Sequence, residues 1–199
     1  FDLAFYTRMA WGLGRLEFWD PIVGAHVFGL HVSPVLFPLG LVGWIEGALP
    51  PTLLVLQAVA LAGAAIPVAR FSARRLGPAG GVVAALAWVL HPNTAHVAGY
   101  EFHPGTLAVL PLAWAVDAVD RQDARGLAWS AAAVLACRED LALVLVAIAA
   151  VALVRRPSPA LRRVALGVAA GSALWLLGFA LVLHPLLGPA HGSMQLHFG

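Results

Sequence analysis

From Val164 to Leu183 the chain reads VALGVAAGSALWLLGFALVL, without one charged side chain. A helix of about 20 such residues crosses the ~30 Å hydrocarbon core of a bilayer. No water is available there, so every backbone N–H and C=O must be satisfied inside the structure, which leaves helices or closed barrels. Further apolar stretches, bounded by arginines or by Pro and Gly, predict spans near Leu53–Phe71, Gly80–Leu90, Thr106–Ala118 and Leu127–Val154. Composition agrees: 61% of residues are hydrophobic, 11% are charged and the mean hydropathy is +0.85. A soluble domain carries about a quarter charged residues. The expected fold class is therefore all-α, a polytopic transmembrane helical bundle in a lipid bilayer.

Ahead of Pro50-Pro51, SPVLFPLGLVGWIEGALPP is apolar but broken by Pro38, Gly40, Gly43 and Gly47, so it reads as a short interfacial or re-entrant piece. The opening, FDLAFYTRMAWGL, repeats apolar and aromatic residues at helical spacing, as in an interfacial helix. It does not start with Met and shows no basic region or apolar leader, and the chain stops at MQLHFG without an anchor, so a fragment cut at both ends is expected. The organisation that follows is one transmembrane domain over residues 1–199. Residues 1–50 form an extracytoplasmic segment with interfacial helices, 51–184 the transmembrane helices and 185–199 a further extracytoplasmic segment.

A net charge of +2 provides no basic stripe for nucleic acid, and the single cysteine, Cys137, excludes an internal disulfide framework. All twelve basic residues are arginine, which points to GC-rich bacterial codon usage and not to chemistry. The glycine pairs Gly43/Gly47 and Gly167/Gly171 have the spacing of close helix packing.

Charge sets the sidedness. RFSARR (Arg70, Arg74, Arg75), DRQDAR (Arg121, Arg125) and VRRPSPALRR (Arg155, Arg156, Arg162, Arg163) are the basic loops, and such loops stay cytoplasmic. With all three on one side, Leu127–Val154 must cross and return as two half-helices, with CREDL (Cys137–Leu141) at the apex. The alternative is one long tilted helix, which would hold Arg138, Glu139 and Asp140 at mid-bilayer and leave one arginine cluster outside. The hairpin puts all eight histidines on the outer side, together with Asp2, Glu101 and the apex, so any chemistry is extracytoplasmic.

Ionisable groups in or near the hydrocarbon are costly unless paired or facing a polar cavity. Arg138 presents a planar fork suited to phosphate or carboxylate, and Glu139 and Asp140 could orient it or accept protons; equally, the three could form an internal pair that holds the hairpin. Asp2 reads by itself as a helix N-cap. Glu101 and His103, two apart beside Pro104, point the same way in an extended turn, towards a shared ligand. With His31, His91 and His96 the donors suffice for a divalent metal, although no spacing matches a specific zinc or iron motif. Walker, dinucleotide-binding and nucleophile-elbow motifs are absent from the sequence.

The order FDLAFYTRMAW, GLHVSPVLFPLGL, PPTLLVLQAVALAGAAIPVARFSARRLG, VLHPNTAHVAGYEFHPGTLAVLPL and CREDLALVLVAIAAVAL resembles a family of predicted prokaryotic membrane proteins, domain of unknown function 2079. The resemblance runs over nearly the whole chain. That family in turn is similar to the GT-C superfamily of polytopic glycosyltransferases. The resemblance implies a GT-C-like bundle and transfer of a sugar from a polyprenyl-phosphate donor to an extracytoplasmic acceptor. It implies Asp2 as catalytic base and Arg138 as the donor-phosphate group, with His31, Glu101, His103, Glu139 and Asp140 lining the pocket. The competing class is a transporter, or a membrane protein that binds metal ions or protons through the same residues.

Overall fold

Residues 1–189 are described by a computed structural model; His191, His197 and the rest of 190–199, part of the expected terminal segment, lie outside the described residues. Helix α1 (Asp2–Leu13) ends at Gly14 and buries Phe5, Tyr6, Met9, Ala10 and Leu13, which recur at helical spacing. These side chains meet Val27, Leu36, Leu49, Leu53 and Phe102 in one cluster. The interfacial helix expected here thus packs its apolar face on protein. A small hairpin, β1 (Trp19–Asp20) with β2 (Ala25–His26), turns where Asp20 Oδ1 accepts the N–H groups of Ile22 (2.8 Å) and Val23 (3.4 Å). Then come α2 (Val27–Leu30) and α3 (Leu36–Gly40), the latter running into a 3₁₀ turn over Leu41–Trp44. Here α1 and α3 cross backbone to backbone, since a Cβ at Gly40 would lie 2.1 Å from the Ala10 carbonyl oxygen.

Two segments, Leu49–Leu90 and Pro159–Leu187, are long and apolar enough to cross a membrane. The first contains α4 (Leu49–Gly63) and α5 (Ala65–Leu90), and it is not one rod. Gly77 has φ 78° and ψ 173°, a conformation essentially restricted to glycine, and the chain reverses there. The second arm of α5 returns along the first: Trp88 Nε1 donates to the Leu61 carbonyl at 2.8 Å, and a Cβ at Gly81 would meet Ala73 Cβ at 2.8 Å. The separate spans expected near Leu53–Phe71 and Gly80–Leu90 are the two arms of this hairpin.

Helix α6 (Pro92–Ala98) leads through an irregular loop to α7 (Pro104–Leu107) and α8 (Val109–Asp120). Helices α9 (Ala124–Leu135) and α10 (Ala142–Val154), at 1.5 Å per residue, are each only about 18–20 Å long. They run out and back, because their far ends meet: the Ser158 N–H donates to Gln122 Oε1 at 2.8 Å, and Arg155 lies 3.5 Å from Asp120. The half-helix hairpin therefore stands and the single tilted helix does not. The last long element is α11 (Pro159–Gly178), continued by a π-helical turn over Phe179–Leu183 into α12 (His184–Leu187).

Helices α8 to α11 pack through small side chains, Ala115, Ala118, Ala149, Ala152 and Ala165 being fully or almost fully buried. Small residues let backbones approach, and in lipid, where apolar burial supplies no drive, close packing must hold helices together. Gly167 and Gly171 take no part in this, since open space surrounds both; the packing expected of that pair is not found.

Candidate functional site

The loop between α6 and α7 is built by one buried amide. Gln57, fully enclosed on α4, donates through Nε2 to the carbonyls of Val97 (2.9 Å) and Tyr100 (3.1 Å), while its Oε1 accepts from the His103 N–H (3.2 Å) and the Thr106 hydroxyl (2.7 Å). Both donors and both acceptor positions of the side chain are used, so the loop is held at three points around one helix position.

That loop delivers Glu101 and His103 to the first turn of α1. The Glu101 carboxylate accepts from the Phe1 nitrogen at 2.7 and 2.8 Å and from the Leu3 N–H at 2.9 Å. The N-terminus of a helix carries unsatisfied N–H groups and partial positive charge, and Glu101 answers both. His103 Nε2 lies 3.1 Å from Asp2 Oδ2, and its Nδ1 lies 3.2 Å from the Glu101 carbonyl oxygen. Both neighbours are acceptors, which a doubly protonated ring satisfies together and a neutral ring only singly. The two residues do point the same way, but what they share is α1.

Asp2 is accordingly not the N-cap expected of it in isolation. It is the first residue of α1, Phe1 is the cap, and the phenyl side chain of Phe1 makes no capping hydrogen bond. Tyr6, one turn further and buried, has its ring 5.4 Å from that of His103. Burial pushes its phenol above the ordinary range, while Arg138 pulls it down and Asp2, Glu139 and Asp140 raise it. One residue is thus within electrostatic reach of both α1 and the hairpin apex.

The apex divides its charges. Glu139 is 4% exposed, and its Oε1 lies 2.8 Å from His31 Nδ1 while its Oε2 accepts the Val32 N–H at 2.9 Å. Its partner is the segment before α3, not Arg138. Arg138 has its Nε 3.2 Å from Asp140 Oδ1, close enough for an ion pair but not aligned as a hydrogen bond, so the buried Nε–H has no acceptor. Gly105 lies beside it, since a Cβ there would make ordinary contact with Arg138 Cδ at 3.8 Å. Immediately beside it opens an apolar groove of about 650 Å³, lined from Ala136 and Cys137 at the apex to Trp114 and Trp129 along α8 and α9.

The structure therefore joins Asp2 with His103 and Glu101, and His31 with Glu139, around Tyr6 and Arg138. It does not bring in the other proposed donors. His91 caps α6 by accepting the Asn93 N–H at 3.2 Å, and the His96 ring lies against Tyr100, 5.8 Å between centroids. Among the described residues no three His, Cys, Asp or Glu side chains converge as a metal-holding set. Two residues escaped the sequence reasoning. Tyr6 was legible as the i+4 neighbour of Asp2 on one helix face; Gln57 was legible as a lone amide inside the apolar LLVLQAVALAG.

In comparison with known proteins, the family described as predicted membrane protein (DUF2079) matches residues 1–199. Neither a curated protein nor a solved structure matches the chain.

Proposed function

We propose, for a chain that belongs to the DUF2079 family of predicted membrane proteins, that it is a multi-pass glycosyltransferase of the cell membrane, taking a sugar from a polyprenyl-phosphate donor on the extracytoplasmic side. Arg138 carries this reading. A guanidinium whose buried Nε–H has no aligned acceptor, on the residue next to Cys137 of the apolar groove, matches an anionic head on a long apolar tail. Sidedness is supported by the gathering of all three arginine loops at the end of the bundle opposite to Asp2 and Arg138.

In the proposed reaction an acceptor hydroxyl attacks the anomeric carbon as the carbon–oxygen bond to the phosphate breaks. Asp2 takes the hydroxyl proton, and polyprenyl phosphate leaves with the bonding pair. His103 holds the Asp2 carboxylate in place, as Glu101 holds the turn that carries it. Arg138 meets the charge that develops on the departing phosphate, and such preorganised stabilisation is worth about 10²–10³ in rate per donor. Glu139 fixes His31 and the segment before α3; Asp140 counters Arg138. No step is routed through a metal, because among the described residues no three His, Cys, Asp or Glu side chains converge.

The test is mass spectrometry of lipids that copurify with the full-length protein, wild type against Arg138→Ala. Polyprenyl phosphate or its sugar adduct bound to the first and lost from the second supports the transferase. Bulk phospholipid alone in both moves the assignment to transport. With a donor in hand, Asp2→Asn is expected to abolish transfer while the protein still assembles; wild-type transfer would remove Asp2 as the base.

A further inference from the structure

The arginines at the end of the bundle opposite to Asp2 fall into two sets. In the first, Arg74 (2.6 Å), Arg121 (2.8 Å) and Arg70 (3.8 Å) surround the fully buried Asp117. Arg74 also reaches Asp120 at 2.8 Å, as do Arg75 and, at 3.5 Å, Arg155. In the second set, Arg125, Arg156, Arg162 and Arg163 are exposed, and among the described residues none has a carboxylate within 4.0 Å. With Asp123 the end holds nine arginines against three aspartates, an excess of six positive charges.

The second set is gathered by the fold. Arg125 lies in the first turn of α9, and Arg162 and Arg163 are the fourth and fifth residues of α11. Arg156 occupies the preceding loop with φ 52°, and the Ser158–Gln122 hydrogen bond ties that loop to the turn before α9. Two helix N-termini and four arginines therefore stand together. Asp123 and Ser158 cap these two N-termini, so what stays unanswered there is the charge of four arginines without a carboxylate, which an anion would neutralise. Next to them the surface turns apolar: Val154 is 82% exposed, Val151 53% and Leu166 50%. An anion seated on the arginines would have hydrocarbon beside it, which is where a phospholipid headgroup lies.

We propose that this end of the bundle binds anionic phospholipid headgroups of its own leaflet through Arg125, Arg156, Arg162 and Arg163. The site is independent of the chemistry at the opposite end.

The probe is dioleoylphosphatidylglycerol against dioleoylphosphatidylcholine, titrated onto the purified full-length protein in detergent and read by native mass spectrometry. Wild type is expected to prefer the anionic lipid, and each neutralised arginine to reduce that preference about fivefold. Arg162→Gln and Arg156→Gln single variants, which leave the Asp117 cluster intact, serve with the quadruple variant, so a misfolded quadruple does not decide the question. Equal binding of the two lipids by wild type would overturn the proposal, as would undiminished preference in both single variants. Displacement of phosphatidylglycerol by millimolar inorganic phosphate would overturn the lipid as the source of the anion.

Discussion

Gln57 shows how much one uncharged side chain can decide. Its four hydrogen bonds place the loop that bears Glu101 and His103, and Gln57→Leu keeps the volume but strands the Tyr100 carbonyl and the His103 N–H and leaves the Val97 carbonyl only its backbone partners. An unsatisfied buried polar group costs about 1–3 kcal/mol. After relaxation, a loss of about 2–4 kcal/mol is expected, read as a lower midpoint of thermal unfolding in detergent. An unchanged midpoint would mean that the loop is held by something other than this amide. Glu101 makes a second prediction: Glu101→Ala removes the acceptor of the Leu3 N–H, and hydrogen exchange at the first turn of α1 should be faster than in wild type; unchanged exchange would mean that the turn holds itself.

At the scale of elements, hairpins organise the bundle, and they are made by different physics. The α5 reversal rests on one backbone conformation: Gly77, with φ 78° and ψ 173°, followed by Pro78. Gly77→Ala adds a Cβ that finds open space, so its cost is conformational alone, about 1–3 kcal/mol. The expected result is a broadened distance distribution between spin labels at residues 69 and 85, with α1 to α3 unaffected. A distribution in Gly77→Ala as narrow as that of wild type would show that packing alone keeps the arms together. The α9–α10 hairpin carries charged residues at its tip and is anchored at both ends, by the His31–Glu139 contact at the apex and by the contact of Ser158 with Gln122 below.

The whole molecule is electrically polarised. Seven of the ten carboxylates lie towards the Asp2 end with three of the twelve arginines, and the remaining nine arginines lie at the other end with three aspartates. At that second end, Asp117 and Asp120 bind arginines from α5, from the turn after α8 and from the residue after α10. The cluster is a clamp across three connections. Asp117→Ala leaves the guanidiniums of Arg74 and Arg121 without their buried partner, and removing one member of a buried pair typically costs about 3–5 kcal/mol. The variant should lose helix packing at this end before it loses α1, which residue-resolved hydrogen exchange would report; simultaneous loss everywhere would mean that the ends are not separable.

The apolar stretches, the breaker residues and the three arginine loops were enough to give the helical class, the two segments long and apolar enough to cross a membrane, and the return of α9 into α10 around CREDL. Those properties are local: a bilayer requires each span to satisfy its own backbone, and loop charges act where they stand. The sequence also brought forward Asp2, Glu101, His103, Arg138 and Glu139, because a charge beside hydrocarbon is costly wherever it occurs. Which carboxylate meets which imidazole was decided by the tertiary structure alone. Glu139 had an arginine next to it and takes His31 instead, 108 residues away, while Asp2 meets a histidine beyond α6. Such pairings follow from how α1, the segment before α3 and the hairpin apex pack around Tyr6, and a contact made across a hundred residues leaves no periodicity at either of its ends.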